Sequence, residues 1–234
     1  MILSIIVCVK NEENTLQEVI QRVLDVDLGH DWEKDIIIVD NLSTDGTHEI
    51  LKQYENYKNI SVIYNKVDLG KSFSFRKAIP FCKGNLIISQ DADLEYHPKE
   101  FPIMIEKLYN ENLDVVIGSR VKQGERYHVY RLNELGIKFL TWFTNILFFT
   151  NYTDVASCYK LVRADLLKSL KLKSNNFDLD FELCAIFKKK KWKVGEIKID
   201  YESRTFEEGR QMQPFKSGFS AMWTIIRERF TNKK

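Results

Sequence analysis

Three acidic residues stand at alternate positions in the segment SQDADLEYHP, which covers residues 89–98. Asp91, Asp93 and Glu95 follow an apolar run, NLIIS, that is typical of a buried strand. Because side chains alternate along an extended chain, we expect the three carboxylates to share one side. Carboxylates held close together repel and raise each other's pKa. A divalent cation removes this repulsion, and such oxygen ligands suit Mg²⁺ or Mn²⁺ bridging to a diphosphate.

The same segment also fits a simpler interpretation, a solvated acidic turn before a helix. Pro98 suits the first turn of a helix, where the helix dipole stabilises acidic side chains. A D-x-D pair taken alone is a weak motif. Its position after a buried strand, the fourth in an alternating series, favours the metal site.

Arginines form a second group of candidate residues. A diphosphate leaving group gains negative charge as the bond to the sugar breaks, and paired guanidinium N–H donors can stabilise that charge. Most surface arginines only face solvent, so each of these residues has a purely structural alternative. The candidates are Arg120, Arg126, Arg131, Arg204 and Arg210.

The elements that must position these side chains alternate between strands and helices in roughly the first half of the chain. This order predicts a mostly parallel α/β sheet with helices on both faces. Open sheets of this kind bind ligands at the carboxyl ends of their strands, where Asp40, Asp91 and Arg120 stand. Strands are predicted at residues 3–9, 35–40 and 60–65 and in the segments GNLIISQDAD and LDVVIGSR.

After residue 120 the pattern changes to longer helices with one further strand. An aromatic-rich helix is predicted at residues 133–151, and Ser43 or Thr44 is predicted to cap an earlier helix. No internal repeat, low-complexity linker or domain boundary is evident, so residues 1–234 are predicted to form a single domain.

Composition narrows the function classes. A formal net charge of +2 argues against a nucleic-acid-binding protein that works through bulk charge. The four cysteines form no C-x-x-C pair, which indicates a reducing, cytoplasmic setting. We interpret the N-terminal apolar run as a first strand rather than a signal peptide. No segment reaches the roughly 20 apolar residues that span a bilayer.

Several segments, in their order and spacing, resemble glycosyltransferase family 2 with the GT-A fold, most closely its dolichyl-phosphate mannose synthase branch. VKNEENTL resembles the family's opening N-E-E turn, IIIVDNLSTDGT its V-D-D-x-S-x-D-G-T segment, and DADLEYHP its D-A-D-L-Q-H-P-P segment. DLGKSFSFRKAI, VVIGSR, TDVASCYKLVRADLL and YESRTFEEGRQM resemble further family segments.

The resemblance implies an inverting, metal-dependent hexosyltransferase that uses a nucleotide-diphosphate sugar of the GDP-mannose or UDP-glucose type. Residues 1–120 would form the donor half and residues 121–234 the acceptor half. Asp91 and Asp93 would coordinate Mg²⁺ or Mn²⁺ and the diphosphate, and Glu95 would stand as a further metal ligand.

The nucleoside would lie by residues of the first two strand ends. Glu12 and Asp40 are implied contacts of the base and ribose, and Asn41 replaces the second acid of the family's pair. Lys71, after Gly70, is a further implied nucleotide contact. Glu12 equally suits the first turn of a helix, and Lys71 equally suits a solvated helix face.

In this branch the acceptor is a polyprenyl phosphate, dolichyl or undecaprenyl. The resemblance places Arg204 at the diphosphate, and Arg120 and Arg131 at the acceptor phosphate. An ionised phosphate can attack without a strong base, whereas a glycan or protein hydroxyl needs one. Asp154 either acts as that base or orients Arg120 or Arg131; the sequence leaves both roles open.

A lipid acceptor raises the question of membrane contact. The run FLTWFTNILFF, residues 139–149, either lies in a membrane interface or packs as a core helix. Lys138 and the run at 188–192 could meet anionic headgroups, which would place a cytoplasmic protein peripherally on the membrane.

Two other classes of function remain open. One is a nucleotidyltransferase, which needs a glycine-rich phosphate loop near its N-terminus. The absence of glycine from VKNEEN counts against this class. A non-catalytic nucleotide-sugar-binding module would bind nucleotide without turnover.

Overall fold

The computed structural model describes residues 1–121, 130–205 and 214–231, with the backbone alone at 214–216. Arg126 and Arg210, two of the candidate arginines, lie outside these ranges. The described strands are β1 (Ile2–Val9), β2 (Glu33–Asp40), β3 (Ile60–Tyr64), β4 (Leu86–Asp91), β5 (Val115–Ser119), β6 (Lys160–Arg163) and β7 (Val194–Lys198). The described helices are α1 (Leu16–Asp25), α2 (Thr47–Lys52), α3 (Lys71–Ala78), α4 (Phe101–Asn110), α5 (Arg131–Phe148), α6 (Ala164–Lys168), α7 (Leu179–Lys189) and α8 (Pro214–Phe230).

The strands form one seven-stranded sheet in the order β3-β2-β1-β4-β6-β5-β7. Neighbouring strands run parallel except around β6, which is antiparallel to both β4 and β5. The predicted α/β class, a mostly parallel sheet flanked by helices, is therefore confirmed. Because β1 lies between β2 and β4, the ends of these three strands come together at one edge.

Apolar cores cover both faces of the sheet, as the continuous apolar runs of its central strands require. One core packs α1 and α4 through side chains such as Ile20, Phe101 and Met104. The other packs the helices of the opposite layer, including Phe181 of α7 and Ile225 of α8. Because both faces of the sheet are packed, the candidate site residues at the strand ends are carried by a rigid sheet.

One predicted helix start is wrong. Helix α2 begins at Thr47 without a side-chain cap from Ser43 or Thr44. The Ser43 hydroxyl donates instead to Asp40 Oδ1 at 2.6 Å, and Thr44 N donates to Asn11 Oδ1 at 2.7 Å. The loop after β2 is thus tied to the strand end and to the β1–α1 loop rather than to the helix.

Within the part of the chain that the structure describes, no helix has both the length and the apolar character needed to cross a membrane.

Candidate functional site

The candidate site lies at the carboxyl ends of β1, β2 and β4. Cys8 pairs with Asp91, and Val9 pairs with Asp40, so these strands end side by side. Strand β4 ends at Asp91, and the chain then turns, with Leu94 at φ 64°. The expectation that the acids alternate along one extended strand is therefore wrong, since a turn brings Asp93 and Glu95 to this edge.

Two cationic side chains meet the aspartates. Lys71 Nζ donates to Asp91 Oδ1, and Arg204 Nη2 lies 3.5 Å from Asp93 Oδ2. Arg204 also forms a two-pronged contact with Glu12, with both N–O distances at 2.9 Å. The structure thus brings together Glu12, Lys71, Asp91, Asp93 and Arg204, which are distant in sequence.

The thiol of Cys158 is a further contact of this cluster that the sequence did not single out. Its Sγ lies 3.2 Å from Asp91 Oδ1. Thr15 links Glu12 to the turn after β4, because its hydroxyl lies 3.0 Å from Glu12 Oε2 and 2.7 Å from Ala92 O. These bonds fix the start of α1 against the acidic turn.

The carboxylates within the cluster perturb one another. Burial, together with the neighbouring charges of Asp91 and Glu95, raises the pKa of Asp93 to about 8, although Arg204 and Lys71 oppose the shift. Burial alone would lower the pKa of Lys71, but the adjacent Asp91 carboxylate holds that pKa well above its usual range. The two cationic side chains of the cluster thus balance the charge of its carboxylates only in part.

Glu95 has protein partners of its own. Its carboxylate accepts from the Tyr201 hydroxyl at 2.7 Å and from Arg204 N at 2.8 Å. Glu95 therefore holds the segment that carries Arg204 against the acidic turn. Across residues 1–121, 130–205 and 214–231, no group of three or more His, Cys, Asp or Glu side chains is arranged to hold a metal ion.

The residues present nevertheless suit a divalent cation. Mg²⁺ in phosphate-binding sites is commonly held by one or two carboxylates, with the diphosphate and water supplying the rest. Asp91 and Asp93 offer such a pair of hard oxygen ligands. Their present contacts with Lys71 and Arg204 show that this corner stabilises positive charge.

Asp40 and Asn41 lie at the neighbouring strand end, and both are buried. Asp40 Oδ1 accepts from Ser43 N at 3.0 Å as well as from its hydroxyl. Asn41 Nδ2 donates to Asp68 Oδ1 at 2.6 Å, and Asn65 Nδ2 donates to Asn41 Oδ1 at 3.2 Å. Both side chains order the loop around the predicted nucleoside position, and their contact with a nucleoside stays a prediction.

Arg120 and Asp154 form a second charged unit at the end of β5. Asp154 accepts from Arg120 Nε at 2.7 Å, from Nη2 at 2.9 Å and from the backbone N at 3.1 Å. The side chains are 6% and 0% exposed. Burial alone would raise the pKa of Asp154, but Arg120 outweighs burial and lowers it. Asp154 is thus held against Arg120, and its role as an orienting group or as a base stays a prediction.

Arg131 is the first residue of α5, and its side chain is exposed. It forms no ion pair with Asp91, Asp93 or Asp154 among the ion pairs of the described residues. The structure therefore does not bring Arg131 into either cluster.

A small cavity of about 30 Å³ extends the site beneath Lys71 and Cys158. A second buried lysine, Lys160, lines it and donates to Asp180 Oδ1 at 2.8 Å and to Val155 O at 3.1 Å. Sequence reasoning passed over Lys160. The signal that could have found it is its position, six residues after Asp154 in the same family-like segment.

The sequence profile described as "Glycosyl transferase family 2" matches residues 4–171. A dodecaprenyl-phosphate galacturonate synthase of Rhizobium johnstonii is 26% identical over 178 residues, covering 73% of this chain and 50% of that protein. A dolichyl-phosphate beta-glucosyltransferase of Trichomonas vaginalis is 26% identical over 217 residues, covering 85% of this chain and 65% of that protein. The chain thus spans one half to two thirds of the length of these relatives.

A solved structure of glucosyl-3-phosphoglycerate synthase from Mycobacterium tuberculosis, in complex with Mn²⁺, UDP and glucosyl-3-phosphoglycerate, superimposes with a TM-score of 0.74. The identity is 17%, and the match covers 99% of this chain and 81% of that one. At this identity the likeness establishes the fold, and the predicted GT-A architecture is confirmed.

Proposed function

The chain belongs to glycosyl transferase family 2, and we propose that it transfers a hexose from a nucleotide-diphosphate sugar to a polyprenyl phosphate with inversion. The two curated relatives are named for dodecaprenyl phosphate and dolichyl phosphate, which supports this acceptor class. The donor would be of the GDP-mannose or UDP-glucose type. Such an acceptor is anchored in a bilayer, so the enzyme would work peripherally at a membrane surface.

The observation that carries the proposal is the mixed charge of the cluster after β4. Asp91 and Asp93 lie there with Lys71 and Arg204, so one corner offers carboxylates for a cation and cations for a diphosphate. A bound Mg²⁺ or Mn²⁺ would neutralise the diphosphate as it leaves. The M. tuberculosis structure of the same fold contains Mn²⁺ and UDP, which supports a divalent cation here.

The state of Asp154 favours a phosphate acceptor over a hydroxyl acceptor. A hydroxyl acceptor needs a base that can take its proton, and Asp154 is the predicted candidate for that base. Both of its oxygens are bound by Arg120, and its pKa is lowered. A phosphate monoester needs no such base, because it is already ionised near neutral pH.

The proposed reaction is a single displacement. A phosphate oxygen of the acceptor attacks the anomeric carbon, and the bond from that carbon to the diphosphate oxygen breaks on the opposite face. The nucleoside diphosphate leaves with the bonding electron pair. Arg204, whose guanidinium lies between Glu12 and Asp93, would donate N–H groups to the oxygens that gain charge.

The test is a transfer assay with the full chain. Purified protein, Mn²⁺ and a short-chain polyprenyl phosphate are incubated in turn with UDP-glucose and GDP-mannose, and the organic extract is examined by mass spectrometry. We expect a glycosyl polyprenyl phosphate with one of these donors. Sugar found only on an aqueous glycan or protein would support the hydroxyl-acceptor alternative instead. Nucleotide binding without turnover would support the non-catalytic module.

A further inference from the structure

The outward face of α5 is apolar along its length. Leu135, Phe139, Trp142 and Ile146 recur at spacings of four, three and four residues, so they lie on one side of the helix. All four are exposed, and Trp142 is 56% exposed. The predicted run 139–149 therefore divides: Leu140 and Phe148 pack in the core while this stripe faces outward.

Helix α8 carries a second outward stripe and packs against α5. Phe219, Trp223 and Phe230 are each more than half exposed, and their spacing places them on one side of the helix. We call the two stripes together the apolar face. Soluble monomers rarely expose rows of large aromatic and aliphatic side chains on two helices that pack together, so such rows mark a contact surface.

The inward sides of the same helices carry polar side chains. Thr141 and Thr144 of α5 and Thr224 of α8 are buried. Thr144 satisfies its hydroxyl by donating to Leu140 O at 2.8 Å, and Thr224 donates to Asp178 Oδ2 at 2.7 Å. These helices thus bury polar hydroxyls beside core residues such as Leu140 and Ile225 while they expose tryptophans, which is unusual for a surface that faces water.

The exposed charged side chains of α5 and of the described part of α8 are all cationic. The acids of α5 and of the described part of α8, Glu134 and Glu228, are buried and bound to lysines. Arg131 and Arg229 of the same helices are exposed, and so is Lys138, the lysine that pairs with Glu134. The described acids of α5 and α8 are thus buried, whereas cationic side chains of the same helices are exposed.

The end of α7 adds to this charge. Lys188 and Lys190 are exposed there, and Lys191 follows them. Lys189 Nζ contacts Glu228 on the inward side of α8 at 3.0 Å, which places this basic run next to α8. An apolar face bordered by lysine and arginine is the arrangement that binds an anionic lipid surface.

We propose that the apolar face docks on an anionic lipid bilayer, with Trp142 and Trp223 at the level of the headgroups. Tryptophan favours this depth because its ring is apolar and its N–H needs a polar partner. A second copy of the chain is the weaker choice of occupant. A two-fold contact through this face would bring its exposed cations toward their own copies.

The position of the face suits the acceptor. Val155 N donates to Thr141 Oγ1 at 3.4 Å, so the inner side of α5 rests on the residue that follows Asp154. A helix with its side chains is about 10 Å across, so the bilayer would lie about that far from the Arg120–Asp154 pair. The link to catalysis rests on the proposed function; the docking itself does not.

The test uses vesicles that contain neither sugar donor nor acceptor. The full chain is floated with phosphatidylcholine vesicles, with and without phosphatidylglycerol, and tryptophan emission is recorded with brominated lipid as a quencher. We expect binding that is stronger with phosphatidylglycerol, and quenching of Trp142 and Trp223. The Trp142→Glu/Trp223→Glu variant should bind at least about tenfold more weakly.

Ile103→Glu is the matched control, because Ile103 is 52% exposed on α4, in the opposite layer of the sheet. This variant should bind vesicles like the unchanged protein. Equal vesicle binding by the double tryptophan variant, or none by the unchanged protein, overturns the proposal. A dimer in sedimentation that the double variant abolishes would also overturn it in favour of self-association.

A second readout separates this proposal from the function. The double tryptophan variant should keep its turnover with a short-chain, water-soluble acceptor and lose turnover with a long-chain acceptor in vesicles. Vesicle binding without any transfer would sink the proposed function and leave the docking surface standing. Transfer without vesicle binding would overturn the docking proposal and leave the proposed function standing.

Discussion

The two charged clusters at the carboxyl edge of the sheet are built from the same residue types but differ in how they are satisfied. Arg120 and Asp154 are almost fully buried and share two side-chain hydrogen bonds and one backbone bond. The Asp91–Asp93 cluster is partly exposed, and its contact from Arg204 to Asp93 is 3.5 Å long. In the first cluster both carboxylate oxygens are occupied by hydrogen bonds from Arg120. In the second, the longer contact and the exposure to solvent would let a ligand replace the present partners.

From this difference we expect separate tasks for residues that look alike in sequence. Both oxygens of the buried Asp154 carboxylate already accept hydrogen bonds, so we expect this pair to hold neighbouring segments in place. Breaking the pair would leave an uncompensated charge in the interior. A partly exposed cluster with a perturbed acid is typical of a ligand site. We therefore expect substitutions in the first cluster to act mainly on stability and substitutions in the second to act mainly on chemistry.

The largest effect is expected at Asp93. Asp93→Ala should lower transfer about a thousandfold or more, because a principal anchor for the cation and diphosphate is lost. Its free energy of unfolding should not fall, since the substitution relieves repulsion with Asp91 and Glu95. Transfer assays and urea denaturation measure the two effects. Asp31→Ala, at an exposed aspartate, is the control, and near-normal transfer by Asp93→Ala would refute the assignment.

The opposite behaviour is expected at Asp154. Asp154→Ala leaves Arg120 buried without its partner and should reduce the free energy of unfolding by about 3–5 kcal/mol. Urea denaturation of this variant beside Asp93→Ala tests the contrast directly. Should the two variants prove equally stable, the distinction between a fixed pair and an exchangeable cluster would be lost.

A smaller effect is expected at Arg131, which lies outside both clusters. Arg131→Ala should raise the KM for the acceptor about tenfold, as expected for the loss of one charge-assisted contact. The KM for the donor should change little, because Arg131 does not contact the Asp91–Asp93 cluster. Equal losses for donor and acceptor would count against its assignment to the acceptor.

The pH dependence of stability sharpens the contrast further. The folded pKa of Asp93 is about 8, above the value of about 3.9 for an unfolded aspartate. Between these values the folded state holds a proton that the unfolded state has lost, so the free energy of unfolding falls as pH rises. Urea denaturation with a chelator present, at a pH near each of these two values, measures this fall. The fall in the free energy of unfolding should be smaller for Asp93→Asn than for the unchanged protein. Parallel curves would contradict the raised pKa.

The smallest effect is expected at Tyr201. Tyr201→Phe removes the hydroxyl that donates to Glu95 and should lower the free energy of unfolding by about 1 kcal/mol. Mn²⁺ affinity should stay unchanged, since Glu95 keeps its bond from Arg204 N. A marked change in Mn²⁺ affinity, measured by titration calorimetry, would support the predicted role of Glu95 as a metal ligand.

The sequence predicted the framework of the sheet because its central strands are long apolar runs with a clear pattern. It missed β6, which is four residues long and runs antiparallel between β4 and β5. Such a strand carries no distinct periodicity, and its place depends on pairing with residues far away in sequence. The fold class was therefore accessible, while the full strand order was not.

The residues of the site were predicted more completely than their partners. Asp91, Asp93, Arg204 and Glu12 were singled out, yet no local pattern indicates that Arg204 pairs with Glu12 across 192 positions of the chain. A turn in this segment was one of the two interpretations, but the positive φ of Leu94 was not predicted, because leucine rarely adopts that conformation. Contacts between distant segments decided what the local pattern could not.

The most direct test of the central claim is a crystal structure of the full chain with Mn²⁺ and a nucleoside diphosphate. The account predicts an anomalous Mn²⁺ peak at the Asp93 carboxylate, in contact with the diphosphate and beside Arg204. A nucleotide bound elsewhere, with no anomalous peak after β4 and the Lys71–Asp91 contact unchanged, would contradict it.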